Sequence, residues 1–135
     1  MALSVPPKPK VSWQRGDVVV CVLAGDYGKP RPAVVVQSNL FNPTHASVTV
    51  CPVTSEKIPA PLFRLPLRAG QCGLRQASWI MIDKVTSIRR ERVSRKIGAL
   101  DASEISSLDA SLQRWLSLDY QNLQNISNFL NPFIP

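Results

Sequence analysis

The residues best suited to chemistry are an arginine held between two prolines and a threonine at the end of a strand-like run. Arg31 lies between Pro30 and Pro32, and Thr54 closes a run that begins at Ser47. Proline fixes its own φ and pushes the preceding residue out of the α region, so Arg31 is held on a stiff, extended backbone. A guanidinium fork binds phosphate oxygens in pairs, and a hydroxyl can donate to a further oxygen. The pattern is compatible with an anion site, although a solvated arginine and a turn-capping threonine would explain the same residues.

Other catalytic and metal-binding residue types are sparse. The single histidine, His45, has no cysteine or acidic residue near it at the spacing that a zinc site needs. The three cysteines, Cys21, Cys51 and Cys72, are odd in number and widely spaced, which fits neither a zinc pattern nor a disulfide framework. Neither a P-loop nor a nucleophile elbow occurs. We therefore expect no metal ion and no cofactor, and we expect free thiols in a reducing cytoplasm.

The charge of the chain indicates a partner that carries phosphate or acidic groups. Sixteen lysines and arginines against nine acidic residues give a net charge of +7 in 135 residues. Such a balance is typical of proteins that meet nucleic acid, acidic lipid or an acidic protein. No apolar run reaches the roughly 20 residues that a membrane span needs, and the first ten residues lack a signal-peptide pattern. We expect a cytoplasmic protein that does not cross a membrane.

Short runs rich in β-branched residues predict a mainly β domain. If the second and third predicted strands are antiparallel neighbours, Arg31 and Thr54 lie side by side at one end of the sheet. Pro52, inside the third strand, predicts that this end lies at an edge or a bulge. The predicted strands are 18–23, 33–37, 47–54, 62–65, 79–82 and 85–88, with a last short apolar pair at Ile97 and Leu100.

The pattern changes to that of a helix after residue 100. Asp101 and Glu104 have the spacing of a capping box, which marks a helix start. We interpret 1–12 as a flexible arm, 13–118 as the folded domain, and 119–135 as a C-terminal extension that forms a second helix or orders against a partner. One apolar face follows the capping box and is expected to lie on the sheet: Ile105, Leu108, Leu112, Trp115 and Leu116.

These elements predict a small twisted sheet or open barrel with a C-terminal helix packed on it. Folds of this kind serve many purposes, so the fold by itself says little about function.

Five blocks in a fixed order resemble the MazF/PemK toxins of bacterial type II toxin–antitoxin modules. The resemblance runs from about Gln14 to Leu118. It implies a small SH3-like open barrel of the CcdB/MazF superfamily, mainly β with α, that forms a homodimer. The blocks are GKPRPAVV at 28–35, PVTS at 52–55, PLFR at 61–64, GLR at 73–75 and MIDKV at 81–85.

The resemblance also implies a function and a set of site residues. The resemblance implies that the chain, like the members of this family, is a metal-independent, sequence-specific endoribonuclease. Such an enzyme cleaves single-stranded mRNA through the RNA's own 2′-hydroxyl and so inhibits growth. In the family the arginine of the Arg-Pro block and the threonine that closes the third strand form the catalytic pair. They match Arg31 and Thr54 here. For RNA binding we expect contributions from Asp26, Tyr27, Lys29 and Ser55.

The loop before the Arg-Pro block departs from the family. Many members carry a Gly-Ser-Glu-Gln segment there, whereas this chain has the shorter stretch 25–29. Asp26 is a possible substitute for the glutamate. Tyr27 offers a face on which a base could stack, and packing of the same ring on its own barrel is the alternative.

Two other classes of function stay open at this point. One is a non-catalytic CcdB-like gyrase poison. That poison acts through a C-terminal Trp-Gly-Ile, and the C-terminal sequence NPFIP of this chain argues against it. The other is a basic SH3-like module that binds RNA without cutting it. The expected partners of the nuclease are single-stranded RNA, a second copy of the chain, and a cognate antitoxin with an acidic tail.

Overall fold

The computed structural model describes residues 12–118, and within them it contains seven β-strands, two short 3-10 turns and one α-helix. The predicted arm lies almost wholly outside this range, and the predicted extension at 119–135 lies fully outside it. The strands are β1 (Asp17–Val22), β2 (Pro30–Val35), β3 (Ser47–Thr54), β4 (Arg64–Leu67), β5 (Ser78–Met81), β6 (Thr86–Arg89) and β7 (Val93–Ala99), the turns are Ile82–Lys84 and Arg90–Arg92, and the helix is α1 (Ala102–Leu116).

The strands form one antiparallel sheet in the order β4-β5-β3-β2-β1-β7. Strand β6 lies off this path and pairs with the first half of β3. The sheet does not close on itself, and the helix comes after the last strand. The architecture is therefore the open, mainly β barrel with a C-terminal helix that the sequence predicted.

Of the two places predicted for Pro52, an edge or a bulge, the edge is wrong, because β3 is a central strand. β3 pairs with β2 along one side, and on the other side it pairs with β6 through 47–50 and with β5 through Val53 and Thr54. Pro52 lies between these two stretches, where neither β5 nor β6 pairs with β3. A residue without a backbone N–H is tolerated there, because the ladder on that side is interrupted.

Both faces of the central strands are buried. Cross-strand partners alternate between two apolar clusters: Val18 and Val34 belong to one, and Val19 and Ala33 belong to the other. The first cluster also contains Leu108 of α1, so the helix covers that face. Strands buried on both sides are rich in β-branched residues rather than alternating, as the run at 18–22 shows.

Helix α1 starts where the capping box predicted. The Asp101 side chain accepts a hydrogen bond from the Glu104 backbone at 2.8 Å, and the Glu104 side chain accepts one from the Asp101 backbone at 2.9 Å. Leu108 is fully buried, whereas Trp115 and Leu116 remain 48% and 49% exposed. The predicted apolar face is therefore most buried in its first three turns, and beyond them the Trp115 ring contacts the Phe63 ring at a centroid distance of 5.9 Å. No helix within 12–118 is long and apolar enough to cross a bilayer.

Strand β7 was missed by the sequence analysis, which recognised only an apolar pair in this region. β7 is an edge strand that pairs with β1 through two register shifts, and residues 94–96 are exposed. Charged residues and bulges on an edge strand oppose pairing with other chains, and they also remove the apolar alternation that identifies strands. Lys96 of β7 forms an ion pair with the buried Asp17 of β1 at 3.1 Å.

The three cysteines are free, and two of them are buried. Burial raises the pKa of the Cys51 thiol to about 12. Burial, with a smaller contribution from the charge of Asp26, raises the pKa of Cys21 to about 11. Both side chains stay protonated at neutral pH and act as small apolar residues of the two clusters.

Shortening Leu108 to alanine should destabilise the domain strongly. The side chain is 0% exposed and joins α1 to the sheet, so Leu108→Ala is expected to lower the free energy of unfolding by about 2–5 kcal/mol. The measurement is urea denaturation of both proteins. Leu40→Ala is the matched control, because Leu40 is 77% exposed, and an equal loss in both variants would contradict this packing.

Candidate functional site

The candidate site lies where strand β2 begins and strand β3 ends. The two strands are antiparallel neighbours, as the sequence analysis required, and their paired residues run from Val35 opposite Val50 to Ala33 opposite Pro52. Two residues further along the same register, Arg31 is opposite Thr54. The ladder has ended by then, so these two side chains flank an opening between the strand ends instead of a continuous sheet.

Arg31 is oriented by an acidic neighbour in the preceding loop. Its Nε lies 3.5 Å from Oδ2 of Asp26, and the side chains are 44% and 28% exposed. A half-exposed pair of this kind adds little stability. Its effect is to hold the guanidinium at the opening while leaving part of its surface accessible to an anion.

Thr54 is positioned by the turn that follows β3. Its Oγ1 accepts a hydrogen bond from the backbone N–H of Glu56 at 3.1 Å, so it does cap the turn after β3. A hydroxyl that accepts one bond still has its own proton to donate. The turn therefore fixes the oxygen and leaves a donor for a ligand at the opening.

Two depressions meet at these residues. The larger groove has a volume of about 790 Å³. It carries four basic side chains, Arg31, Lys84, Arg89 and Arg92, against two acidic ones. Its lining comprises Leu23, Ala24, Asp26, Arg31, Pro52, Val53, Thr54, Glu56, Met81, Lys84, Thr86, Ser87, Ile88, Arg89 and Arg92.

The smaller depression lies on the other side of the same two residues and has a volume of about 250 Å³. Arg31 and Thr54 line both spaces, so they stand on the ridge between them. An extended anionic chain that crossed this ridge would place one backbone group at Arg31 and Thr54. The remaining lining residues are Pro32, Val53, Ser55, Leu74, Arg75, Gln76 and Ser78.

The other residues predicted from the sequence divide into two groups. Asp26 lines the larger groove and Ser55 lines the smaller depression, so both lie at the site. Tyr27 and Lys29 are exposed at the loop tip and line neither space. Tyr27 is 105% exposed with a positive φ of 52°, which excludes packing of its ring on its own barrel.

Several charged residues of the site were not assigned by the sequence analysis. Lys84 and Arg75 occur in two of the resembling blocks, and Arg89 and Arg92 belong to a basic cluster next to β6. The sequence shows an excess of basic residues, but it does not show which of them lie close together in the fold. They meet Arg31 only through the folding of β5 and β6 beside β3.

A structural ion pair holds the segment that carries Lys84. Arg64 of β4 donates to both carboxylate oxygens of Asp83, at 3.0 and 3.1 Å, and both side chains are largely buried. A bidentate pair of this geometry fixes direction as well as distance.

Among residues 12–118, no group of three or more His, Cys, Asp or Glu side chains is placed to hold a metal ion.

Comparison with known sequences identifies a family of toxins. Residues 14–116 match the family described as PemK-like, MazF-like toxin of type II toxin–antitoxin system. A probable endoribonuclease MazF from Mycolicibacterium smegmatis is 36% identical over 107 residues, which cover 78% of this chain and 97% of the relative. Endoribonuclease EndoA from Bacillus subtilis is 27% identical over 110 residues, which cover 78% of this chain and 95% of the relative.

Solved structures show the same fold. The toxin MazF-mt6 of Mycobacterium tuberculosis has a TM-score of 0.69 at 25% identity and covers 77% of this chain and 99% of its own. An endoribonuclease from a mycobacterial species, solved in complex with its cognate antitoxin, has a TM-score of 0.69 at 16% identity and covers 81% of this chain and 99% of its own. At 16% identity, the similarity to this second structure is evidence for a shared fold only. The predicted barrel architecture is confirmed.

Removing the charge of Asp26 should strengthen binding of polyanions at the ridge. Asp26 lies 3.5 Å from the Arg31 guanidinium, and a pair of charges about 4 Å apart in water interacts by about 1 kcal/mol. We expect Asp26→Asn to bind fluorescent heparin about 5-fold more tightly at low salt, with the gain lost at high salt. The measurement is fluorescence anisotropy.

Asp109→Asn is the matched control for this change. Asp109 also forms an ion pair, with Arg15 at 2.6 Å, but it lies on α1 and lines neither space. Equal gains in the two variants would mean that net charge alone decides the affinity, and would contradict the role given to Asp26.

Proposed function

This chain belongs to the PemK-like, MazF-like family of type II toxin–antitoxin toxins, and from that premise we propose that it is an endoribonuclease that cleaves single-stranded mRNA without a metal ion. The observation that carries the proposal is the ridge, where a guanidinium and a free hydroxyl donor converge between two depressions. The names of its relatives support the same activity.

The reaction uses a nucleophile that the RNA supplies. The 2′-hydroxyl loses its proton to a base and attacks the adjacent phosphorus. The bond from phosphorus to the 5′-oxygen of the next nucleotide then breaks, and that oxygen takes up a proton. The products are a 2′,3′-cyclic phosphate and a 5′-hydroxyl end. The protein must therefore hold the phosphate and the sugar in line and stabilise the charge that gathers on the phosphorane oxygens.

Arg31 and Thr54 are suited to that stabilisation. Arg31 presents a planar set of donors from a strand end that Pro30 and Pro32 stiffen, and its contact with Asp26 orients the fork. The Thr54 hydroxyl, fixed by its bond from the Glu56 backbone, donates to a second oxygen. The carboxylates that line the larger groove, Asp26 and Glu56, are the candidate bases for the 2′-hydroxyl.

The larger groove provides a path for the RNA backbone away from the ridge. Lys84, Arg89 and Arg92 line it and have no ion-pair partner within residues 12–118. Exposed, unpaired cations bind successive phosphates and make affinity dependent on salt. Tyr27 and Lys29, at the exposed tip of the 23–29 loop, are placed for contacts with RNA outside this groove, by stacking and by charge.

The biological setting follows from the same premise. The protein would act in the cytoplasm, where mRNA is found, as the toxin that a cognate antitoxin restrains. An antitoxin with an acidic tail suits the +7 charge and the basic groove. We propose a homodimer as the assembled form, as the family resemblance implies. Neither the gyrase-poison alternative nor the non-catalytic RNA-binding alternative is favoured, since the relatives found are endoribonucleases.

Truncating either residue of the ridge should remove RNA cleavage. Arg31→Ala is expected to abolish it, and Thr54→Ala to lower kcat about 100- to 1,000-fold, the usual effect of losing one donor to a developing oxyanion. The measurement is digestion of a long RNA in EDTA, followed by labelling of the 5′-hydroxyl ends that cleavage creates. Arg95→Ala is the control, because this exposed arginine of β7 lines neither space.

Two results would contradict the nuclease. One is intact RNA after incubation with a large excess of the wild-type protein. The other is cleavage that persists unchanged in Arg31→Ala, which would indicate a contaminating enzyme or another site.

Binding of the antitoxin should weaken with salt. Between 0.01 M and 1 M salt the screening length falls from about 30 to about 3 Å, so an affinity carried by exposed charges should drop on the order of tenfold or more. Titration calorimetry with the cognate antitoxin measures this. A peptide of its acidic segment with glutamine in place of glutamate is the control, and an affinity that ignores salt would show that apolar contacts dominate.

A further inference from the structure

The smaller depression has a fixed place relative to the reacting group. It shares Arg31 and Thr54 with the larger groove. Whatever occupies it therefore lies directly beside the group that these two residues bind. If that group is the scissile phosphate, the occupant is a base of one of the two nucleotides that flank it.

The size and lining of the smaller depression suit one planar ring system. Its volume of about 250 Å³ is slightly below the range of roughly 300–1,000 Å³ that holds drug-sized ligands. The floor is apolar, formed by the buried Val53 and Leu74 with Pro32 beside them. The rim is polar and comes from Ser55, Arg75 and Gln76.

The polar groups of this rim are available to a ligand. Within residues 12–118, neither the guanidinium of Arg75 nor the side-chain amide of Gln76 forms a hydrogen bond or an ion pair, and both residues are exposed. The buried Ser78 acts differently, because its hydroxyl donates to the backbone oxygen of Gln76 at 2.9 Å. Ser78 therefore holds the backbone of the rim and leaves the side chains of the rim free.

The 68–77 loop that carries the rim is held firmly against β7. A side chain at Gly73 would place its Cβ 2.1 Å from the backbone oxygen of Ile97, and one at Gly98 would lie 2.4 Å from the carbonyl of Cys72. Only glycines permit such a close approach of two backbones. Two backbone hydrogen bonds within the loop, from Gly70 to Leu74 at 2.7 Å and from Leu74 to Gln71 at 3.0 Å, stabilise its turn. Because the backbone of the rim is already fixed, binding of a ligand orders only the side chains of the rim.

From these features we propose that the smaller depression recognises a single purine base, guanine in preference to the others, next to the scissile phosphate. This inference rests on the proposed function. Arg75 is the specificity-determining residue, because its fork presents two donors, and guanine offers two adjacent acceptors at O6 and N7. Adenine presents an acceptor and a donor on that edge, so the same fork pairs less well with it. The side-chain amide of Gln76 has both a donor and an acceptor, so by turning over it pairs with the Watson–Crick edge of either purine and leaves the choice between them to Arg75.

The first test compares cleavage preferences. Sites cut by the wild-type protein in a long RNA should show guanine at one of the two positions that flank the cut. Replacing that guanine with adenine should lower kcat/KM about 5- to 150-fold in the wild type, the effect of one good bidentate contact. In Arg75→Ala the ratio should fall to near one, because cleavage next to guanine slows to about the rate seen next to adenine.

Arg68→Ala is the matched control. It removes the same charge from an exposed residue at the edge of the same loop, but Arg68 lines neither space. It should keep the guanine preference. A preference unchanged in Arg75→Ala, or an absence of guanine at both flanking positions, would overturn the inference while leaving the nuclease in place.

A binding measurement separates this inference from the proposed function. The probes are oligouridine decamers with and without one guanine, measured by anisotropy on Thr54→Ala so that they stay intact. Thr54→Ala should favour the guanine-containing RNA by the same factor, and the double variant with Arg75→Ala should not. Equal binding of the two RNAs would overturn the base pocket whatever the cleavage assay shows. A guanine preference in binding without any RNA cleavage by the wild type would contradict only the nuclease.

Discussion

The candidate site depends on where the ladder between β2 and β3 ends. The last paired residues are Ala33 and Pro52. Beyond them β2 has three more residues and β3 has two, and these residues do not pair with each other. The first half of β2 contains two prolines, which have no N–H to donate, and it pairs with β1 alone. The sheet is therefore left open at this point, and the opening places Arg31 opposite Thr54 with space on both sides. A longer ladder would close the gap in which a phosphate is proposed to bind.

The rigidity of this opening comes from the sheet behind it. Cross-strand neighbours alternate between two buried clusters, so neither β2 nor β3 can slip by one residue without moving apolar side chains to the wrong face. Helix α1 covers one of the clusters through Leu108. Functional side chains at the ends of such strands are held more precisely than side chains on a free loop. The 68–77 loop, which forms the rim of the smaller depression, is also held in place. Close backbone contacts at Gly73 and Gly98 fix this loop on β7.

Ion pairing explains how a modest excess of basic residues becomes a basic groove. Three of the acidic residues that form ion pairs do so away from the ridge, with Arg15, Arg64 and Lys96. Asp26 is the exception and orients Arg31. Apart from Arg31, the basic residues that line the two depressions have no acidic partner within residues 12–118, so they give these surfaces a positive charge that suits an RNA backbone.

The sequence by itself determined the class of the fold, the start of the helix and the two residues of the ridge. These features can be read from a sequence because each one depends on residues that are close together in the chain. They are the runs of β-branched residues, the capping box at Asp101, and the Arg-Pro and Pro-Val-Thr blocks. The sequence did not reveal β7, whose charged, bulged edge hides its period. It also could not show that Arg75 belongs beside Arg31. That placement requires β5 to pair with β3 and the 68–77 loop to lie on β7, two contacts between distant parts of the chain that only the tertiary structure decides.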